Sequence, residues 1–196
     1  RTAKIKIENR PEIFNTLEVY KKGLQFCIDN GWEKKIRNNV KLHPFVYKGL
    51  KEMGLTSQLA VRCIKQACGI LKKSKSKPSV KNISIGYNFP RSASLKKSIL
   101  SISTIEGRIK IPVSVPDCYK EYFDNWEVRE SLLNYDRKTN KTYFLFTFTA
   151  EDPGSSNQHY KILGVDCGVN KLAVTSDNRF YGRNIKSLRK KERQAG

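Results

Sequence analysis

The chain has 196 residues, 38% hydrophobic and 10% aromatic, with 38 Lys plus Arg against 18 Asp plus Glu and a formal charge of +20. That apolar share suffices for a folded core and excludes wholesale disorder. The charge excess repels itself in a compact state and points to a polyanionic partner, nucleic acid before an anionic membrane, since no apolar run approaches the roughly 18 residues of a spanning helix and no signal peptide opens the sequence.

Residues 4–7, Lys-Ile-Lys-Ile, alternate and predict a short strand. A helix opens at Asn9-Arg10-Pro11, with Pro11 in the first turn where its missing N–H does no harm. Ile13, Leu17, Tyr20, Leu24, Cys27 and Ile28 form its apolar face, and Asn30-Gly31 predicts its end. Residues 32–43 are polar and basic and carry no clear periodicity; residues 45–53 suggest a short helix. Thr56 or Ser57 caps a further helix with Leu59, Ile64, Ala67, Cys68 and Leu71 inward. Lys72 to Pro78, KKSKSKP, is a low-complexity basic linker. Strands follow at 80–87, 98–105 and 108–115, with Glu106-Gly107 as a hairpin turn, then at 126–135 and 141–149. The aromatic alternation from Tyr143 to Thr149 suits a barrel interior. Residues 151–158, EDPGSSNQ, read as a linker. A β-barrel interrupted by a helical insertion explains this order with the fewest assumptions.

Five cysteines, Cys27, Cys63, Cys68, Cys118 and Cys167, are odd in number and lack CxxC spacing, which argues against a disulfide framework or a zinc ribbon within these residues. Each is expected to be a small buried apolar residue. His43 and His159 have no ligand partners at useful spacing. The absence of an initial methionine and the basic stretch before Gly196 suggest a piece of a longer protein.

The chemistry concentrates in Lys161 to Thr175, KILGVDCGVNKLAVT. Ile162 to Val165 is the apolar run of a central strand, Asn170-Lys171 a turn, and Leu172 to Thr175 the returning strand. Alternation puts Leu163, Val165, Cys167 and Val169 on one face, and Ile162, Gly164, Asp166 and Gly168 on the other. Asp166 is thereby flanked by glycines that leave room for a hydrated cation and a phosphate, an arrangement suited to Mg²⁺, which takes one or two carboxylates plus substrate oxygens. A strand-ending aspartate that caps the following turn is the competing reading.

GVDCGVNKLAVTSD resembles the first RuvC motif of the TnpB family, proteins of transposable elements related to type V CRISPR effector nucleases. The match falls on Gly164, Asp166, Gly168, Leu172, Ala173, Ser176 and Asp177. Upstream, LTSQLAVRCIKQACGILKK (55–73), GRIKIP (107–112) and KTYFLFTFTAED (141–152) resemble that family's pre-barrel helix, a barrel strand and the strand leading into the nuclease. The resemblance implies an α+β fold: a wedge-like β-barrel from residues 1–10 and 79–150, a helical recognition-like insertion at 11–78, a linker at 151–160, and the start of an RNase H-like (RuvC) domain at 161–196. It implies an RNA-guided, Mg²⁺-dependent DNA endonuclease with guide RNA and target DNA as partners, in the cytoplasm of a bacterium or archaeon. Asp166 would be catalytic and metal-binding. The remaining Glu and Asp, and a zinc ribbon, would lie beyond Gly196, so the chain alone is expected to be inactive.

Arg183 follows the hairpin as a candidate phosphate contact, and Lys186, Arg189, Lys190 and Arg193 fall at i, i+3, i+4 and i+7, a single basic stripe if the segment is helical, with a solvated helix end as the alternative. Lys34, Lys35, Arg37 and Lys41 lie near Trp32 and Tyr47, and Lys72, Lys73, Lys75 and Lys77 form a further cluster; both are candidate phosphate contacts, the alternatives being Trp32 as a core anchor for the first and a flexible solvated loop for the second. Two other functional readings fit parts of the sequence: a non-catalytic nucleic-acid-binding module, and an actin-like ATPase or sugar kinase, whose phosphate hairpin also reads DxG but whose members rarely carry so large a positive charge.

Overall fold

The computed structural model describes residues 1–150, 163–167 and 172–182. The chain divides into two compact units, Arg1–Glu151 and Asp152–Gly196. Both are antiparallel where they contain sheet, so the chain is a mixed α+β protein. Among the described residues no helix is long and apolar enough to cross a membrane.

The first unit begins with β1 (Thr2–Ile7), which turns Ala3, Ile5 and Ile7 inward and Thr2, Lys4 and Lys6 outward. Helix α1 (Pro11–Glu33) follows and buries Ile13, Leu17, Tyr20, Leu24, Cys27 and Ile28. It does not stop at Asn30-Gly31. Gly31 is required inside the helix because a Cβ there would lie 2.5 Å from Leu71 Cδ1 and 3.0 Å from the Ile36 carbonyl oxygen. Helix α2 (Asn39–Glu52) starts well before residue 45. The Asn38 side chain caps it by accepting the N–H groups of Val40 and Lys41 at 2.9 and 3.3 Å. Pro44 lies within this helix and breaks the helical pattern when the sequence is read alone. Helix α3 (Ser57–Lys73) buries the expected Leu59, Ile64, Ala67, Cys68 and Leu71. Thr56 is its N-cap, but its buried hydroxyl has no partner among the described residues. Gly23 faces Leu50 and Cys63, while Gly31 faces Leu42 and Leu71. Along α1 the facing numbers thus rise on α3 and fall on α2, so α3 runs parallel to α1 and α2 runs against both.

The chain then returns to sheet. Strands β2 (Ser84–Tyr87), β7 (Ser131–Asp136) and β8 (Lys141–Thr149) join β1 in the order β1-β8-β7-β2, with β6 (Glu127–Val128) also on β8. A second sheet has the order β3 (Ala93–Lys96), β4 (Ile99–Thr104), β5 (Gly107–Pro112). Gly107 takes φ 114° just after the predicted Glu106 turn, a conformation glycine adopts without strain. The short α4 (Lys120–Asn125) links the sheets, with Phe123 and Tyr122 against Phe146 and Phe148 of β8. Phe144, Phe146 and Phe148 are buried as the aromatic alternation predicts. Their core is continuous with that of the helices, so insertion and sheets fold as one cluster.

Four expectations are corrected. Among the described residues no sheet closes into a barrel; the Tyr87 hydroxyl on β2 donates to the Ser103 carbonyl on β4 and so joins the two sheets. The single strand predicted at 126–135 is two, because Leu132 pairs with Leu145 and Val128 with Phe148, leaving Arg129, Glu130 and Ser131 opposite only Phe146 and Thr147. That is a β-bulge, and the buried Ser131 hydroxyl satisfies it by accepting Thr147 N–H. The basic linker is pinned to α1: Gln25 donates to the Pro78 carbonyl and accepts Val80 N–H, and Lys77 pairs with Asp29 at 2.9 Å. Cys27, Cys63 and Cys68 are buried, but Cys118 and Cys167 are exposed because neither lies on a core-facing stripe.

In the second unit, β9 (Val165–Asp166) pairs antiparallel with β10 (Ala173–Thr175), which also pairs with β11 (Phe180–Tyr181).

Candidate nucleic-acid interface

Asp166 sits in β9 directly opposite Val174 of β10. Its carboxylate is exposed and has no hydrogen bond or ion pair with another described residue. Residues on the two sides of the turn hold the hairpin around it. The Ser176 hydroxyl accepts Gly164 N–H at 3.1 Å, and Ser176 N–H donates to the Gly164 carbonyl at 2.8 Å. Asp177 accepts a hydrogen bond from the Thr175 hydroxyl and pairs with Arg179 at 3.1 Å. A Cβ on Gly164 would meet only Ser176, at an ordinary 3.5 Å. The predicted buried strand is instead solvent-facing: Leu163, Val165 and Leu172 are 54, 57 and 62% exposed, because no described element covers that face. Gly168 lies outside the described residues, as do Arg183, Lys186, Arg189, Lys190 and Arg193.

An unpaired exposed carboxylate fits one ligand of a hydrated Mg²⁺. Among the described residues no cluster of three His, Cys, Asp or Glu side chains could hold a metal ion, so Asp166 alone does not make a site.

The helical insertion gathers part of the predicted basic surface. Because α1 and α3 run parallel, their C-terminal ends lie together. Lys35 and Arg37, just past α1, line a cavity of about 390 Å³ with Trp32, Gly31 and Leu71. Neither cation has a carboxylate within ion-pair reach among the described residues. The Lys34 ammonium lies 5.0 Å from the centre of the exposed Phe45 ring, and His43 stacks on Tyr47 at 4.5 Å. Trp32 is half-buried, packs against the core and also lines the cavity. A groove with unpaired cations and an aromatic wall can take a phosphate and a base together.

The second predicted cluster divides. Lys72 and Lys73 occupy the last turn of α3, where a cation also stabilises the helix dipole. Lys77 is engaged by Asp29, whose carboxylate accepts its hydrogen bond and raises its pKa above the ordinary lysine value. Lys72, Lys73 and Lys75 are exposed and form no hydrogen bond or ion pair with a described residue.

A further basic surface was legible as period-two alternation but was not assigned. Arg108 and Lys110 alternate with half-buried and buried neighbours on β5, and Arg108 is held by the Ser101 hydroxyl at 2.9 Å and the Arg91 carbonyl at 3.2 Å.

No protein-family model matches the chain, and no curated protein matches it significantly.

Proposed function

We propose that this chain is the nucleic-acid-binding N-terminal part of a TnpB-like, RNA-guided, Mg²⁺-dependent DNA endonuclease. The observation that carries the reading is Asp166, an exposed carboxylate without a described partner in the first strand of a hairpin knitted by Ser176, another RuvC-motif residue. A sheet interrupted after its first strand by three helices, on a chain of charge +20, supports it further. In this reading the sheets of the first unit correspond to a wedge-like domain, the helices to a recognition insertion, and the hairpin to the start of an RNase H-like domain. Guide RNA and target DNA are the partners. Mg²⁺ would activate water and stabilise the leaving oxygen at the scissile phosphate once the Glu and second Asp join Asp166.

Two measurements test it. The purified chain should bind structured RNA with log affinity falling against log salt by several units, and should not cut DNA with Mg²⁺. In a chain extended through all three carboxylates, Asp166→Ala should abolish cleavage while leaving RNA affinity unchanged. A flat salt dependence, or cleavage that survives Asp166→Ala, refutes the proposal.

A further inference from the structure

The outward side of the β1-β8-β7-β2 sheet carries no residue assigned above. Register fixes what lies on it. Lys6 stands opposite Tyr143, which stands opposite Asn134 and then Ser84. The next row is Lys4, Leu145, Leu132 and Gly86, and the row beyond it pairs Thr2 with Thr147. Tyr143 is half-buried, and the Lys4 ammonium lies 4.1 Å from its ring centre. Helix α3 walls the β2 side, where Arg62 fills the space over Gly86 and Gln66 donates to the Ser84 carbonyl. Between that wall and Tyr143 lies a cavity of about 240 Å³ lined by Gln66, Ser84, Leu132, Asn134 and Leu145. On the β1 side Thr2, Lys4 and Lys6 are exposed among the described residues.

We infer that this sheet face binds single-stranded nucleic acid, with one base stacked on Tyr143 and Lys4 and Lys6 on the adjoining phosphates. The face combines what a single strand offers: a flat π-surface, apolar floor residues, amide and hydroxyl groups for base edges, and phosphates. A duplex buries its base faces and cannot use Tyr143. The cavity is smaller than the roughly 300 Å³ of a small-molecule site, so it takes part of a polymer rather than a whole ligand. Lys4 over the ring is no obstacle, since an exposed cation–π contact is weaker than base–aromatic stacking and the freed ammonium gains a phosphate.

The carboxylates nearby are engaged. Glu130 is paired with Arg62, Glu8 with Arg10, and Asp136 accepts hydrogen bonds from the Thr139 hydroxyl and Lys138 N–H beside its cross-strand neighbour Lys141. Asp136 and Glu8 lie at the Lys141 end, and at the other end Glu127, opposite Thr149, is paired with Arg129. This site stands whether or not the chain belongs to a nuclease.

The test is fluorescence anisotropy of the whole chain with labelled 12-nucleotide oligo(dT), oligo(rU) and a duplex of equal length. Tyr143→Thr, which keeps a β-former but removes the ring, should weaken single-strand binding by about tenfold, while Tyr143→Phe stays within about twofold of the parent. Lys4→Ala and Lys6→Ala should each lower the single-strand salt slope by about 0.7. Duplex affinity should not follow Tyr143. Loss on DNA, RNA or both accords with stacking and identifies the strand that docks. In the unmodified protein, amide shifts on titration with oligo(dT) or oligo(rU) should centre on Lys4, Lys6, Tyr143 and Leu145. Equal losses for Thr and Phe, equal losses on duplex and single strand, or shifts elsewhere overturn the inference.

Discussion

Replacing Gly86 by alanine probes how the helical insertion is fastened to the sheet. Gly86 has an ordinary strand backbone, so alanine fits its φ and would by itself gain about 0.5–1 kcal/mol over glycine. Its new Cβ would lie 2.3 Å from Arg62 Nε and 2.7 Å from Arg62 Cζ. Those atoms are the mobile end of a long side chain and can move away, but only by breaking the two-point contact of Arg62 with Glu130. A charge-assisted pair of this kind contributes about 1.5–3 kcal/mol, which falls to about 1–2 because the Glu130 side chain is 44% exposed against 16% for Arg62. Gly86→Ala should therefore destabilise by roughly 0.5–1 kcal/mol, and always by less than Arg62→Ala. In an Arg62→Ala background the sign should reverse, with alanine at 86 stabilising by about 0.5–1 kcal/mol. Urea unfolding followed by tryptophan fluorescence reads this directly, since Trp32 and Trp126 both belong to the unit Arg1–Glu151. A Gly86→Ala cost larger than that of Arg62→Ala, or unchanged in its absence, would show that the guanidinium is not what occupies this space.

Asp166→Asn should leave the thermal midpoint unchanged, with an effect within about 0.5 kcal/mol, because the carboxylate has no described partner to lose. Lys35→Ala with Arg37→Ala should reduce the salt slope of duplex binding by about 1.8, at about 0.9 per lost phosphate contact, whereas Lys77→Ala should change it little because Asp29 already holds that ammonium. Bonds from the Thr139 hydroxyl and Lys138 N–H hold the Asp136 carboxyl below its ordinary range, so the β7–β8 turn should be fully supported above about pH 4 and weaken as pH falls from there through the lowered value. Amide exchange in residues 136–141 should report this, and Asp136→Asn should remove the pH dependence. A thiol reagent should modify Cys118 and Cys167 rapidly and leave Cys27, Cys63 and Cys68 until the protein unfolds.

The legible parts of the fold were those with strong periodicity. The stripe of α1, the inward set of α3 and the aromatic alternation of β8 each bury one face, and the pattern records it. The start of α2 was hidden because a side-chain cap at Asn38 and an internal Pro44 look like loop chemistry in a linear string. The β6–β7 bulge, the lack of barrel closure among the described residues and the anchoring of the 74–80 segment depend on partners distant in sequence, which no local pattern encodes. At the site, the pattern placed Asp166 on a strand followed by a returning strand, and β9 pairs antiparallel with β10 there, with Gly164 just before β9. It could not show that the apolar face would be open, or that Lys77 was already engaged. The outward row of Lys6, Tyr143, Asn134 and Ser84 emerges only from cross-strand register.

The pairing of β1 with β8 also sets an order of events. Thr2 meets Thr147 and Ile7 meets Thr142, while the Arg1 and Phe148 backbones exchange two further bonds. A ribosome that has made the first strand must add some 140 residues before its partner exists. During that interval the three helices can assemble from contacts among themselves, whereas Ala3, Ile5 and Ile7 have no sheet to join. When β8 arrives, one docking step gives the first strand its ladder, covers the aromatic core and covers the edge of the long β8 strand that would otherwise recruit other chains. Deleting residues 1–9 should leave the helices able to form but the chain prone to aggregate through β8.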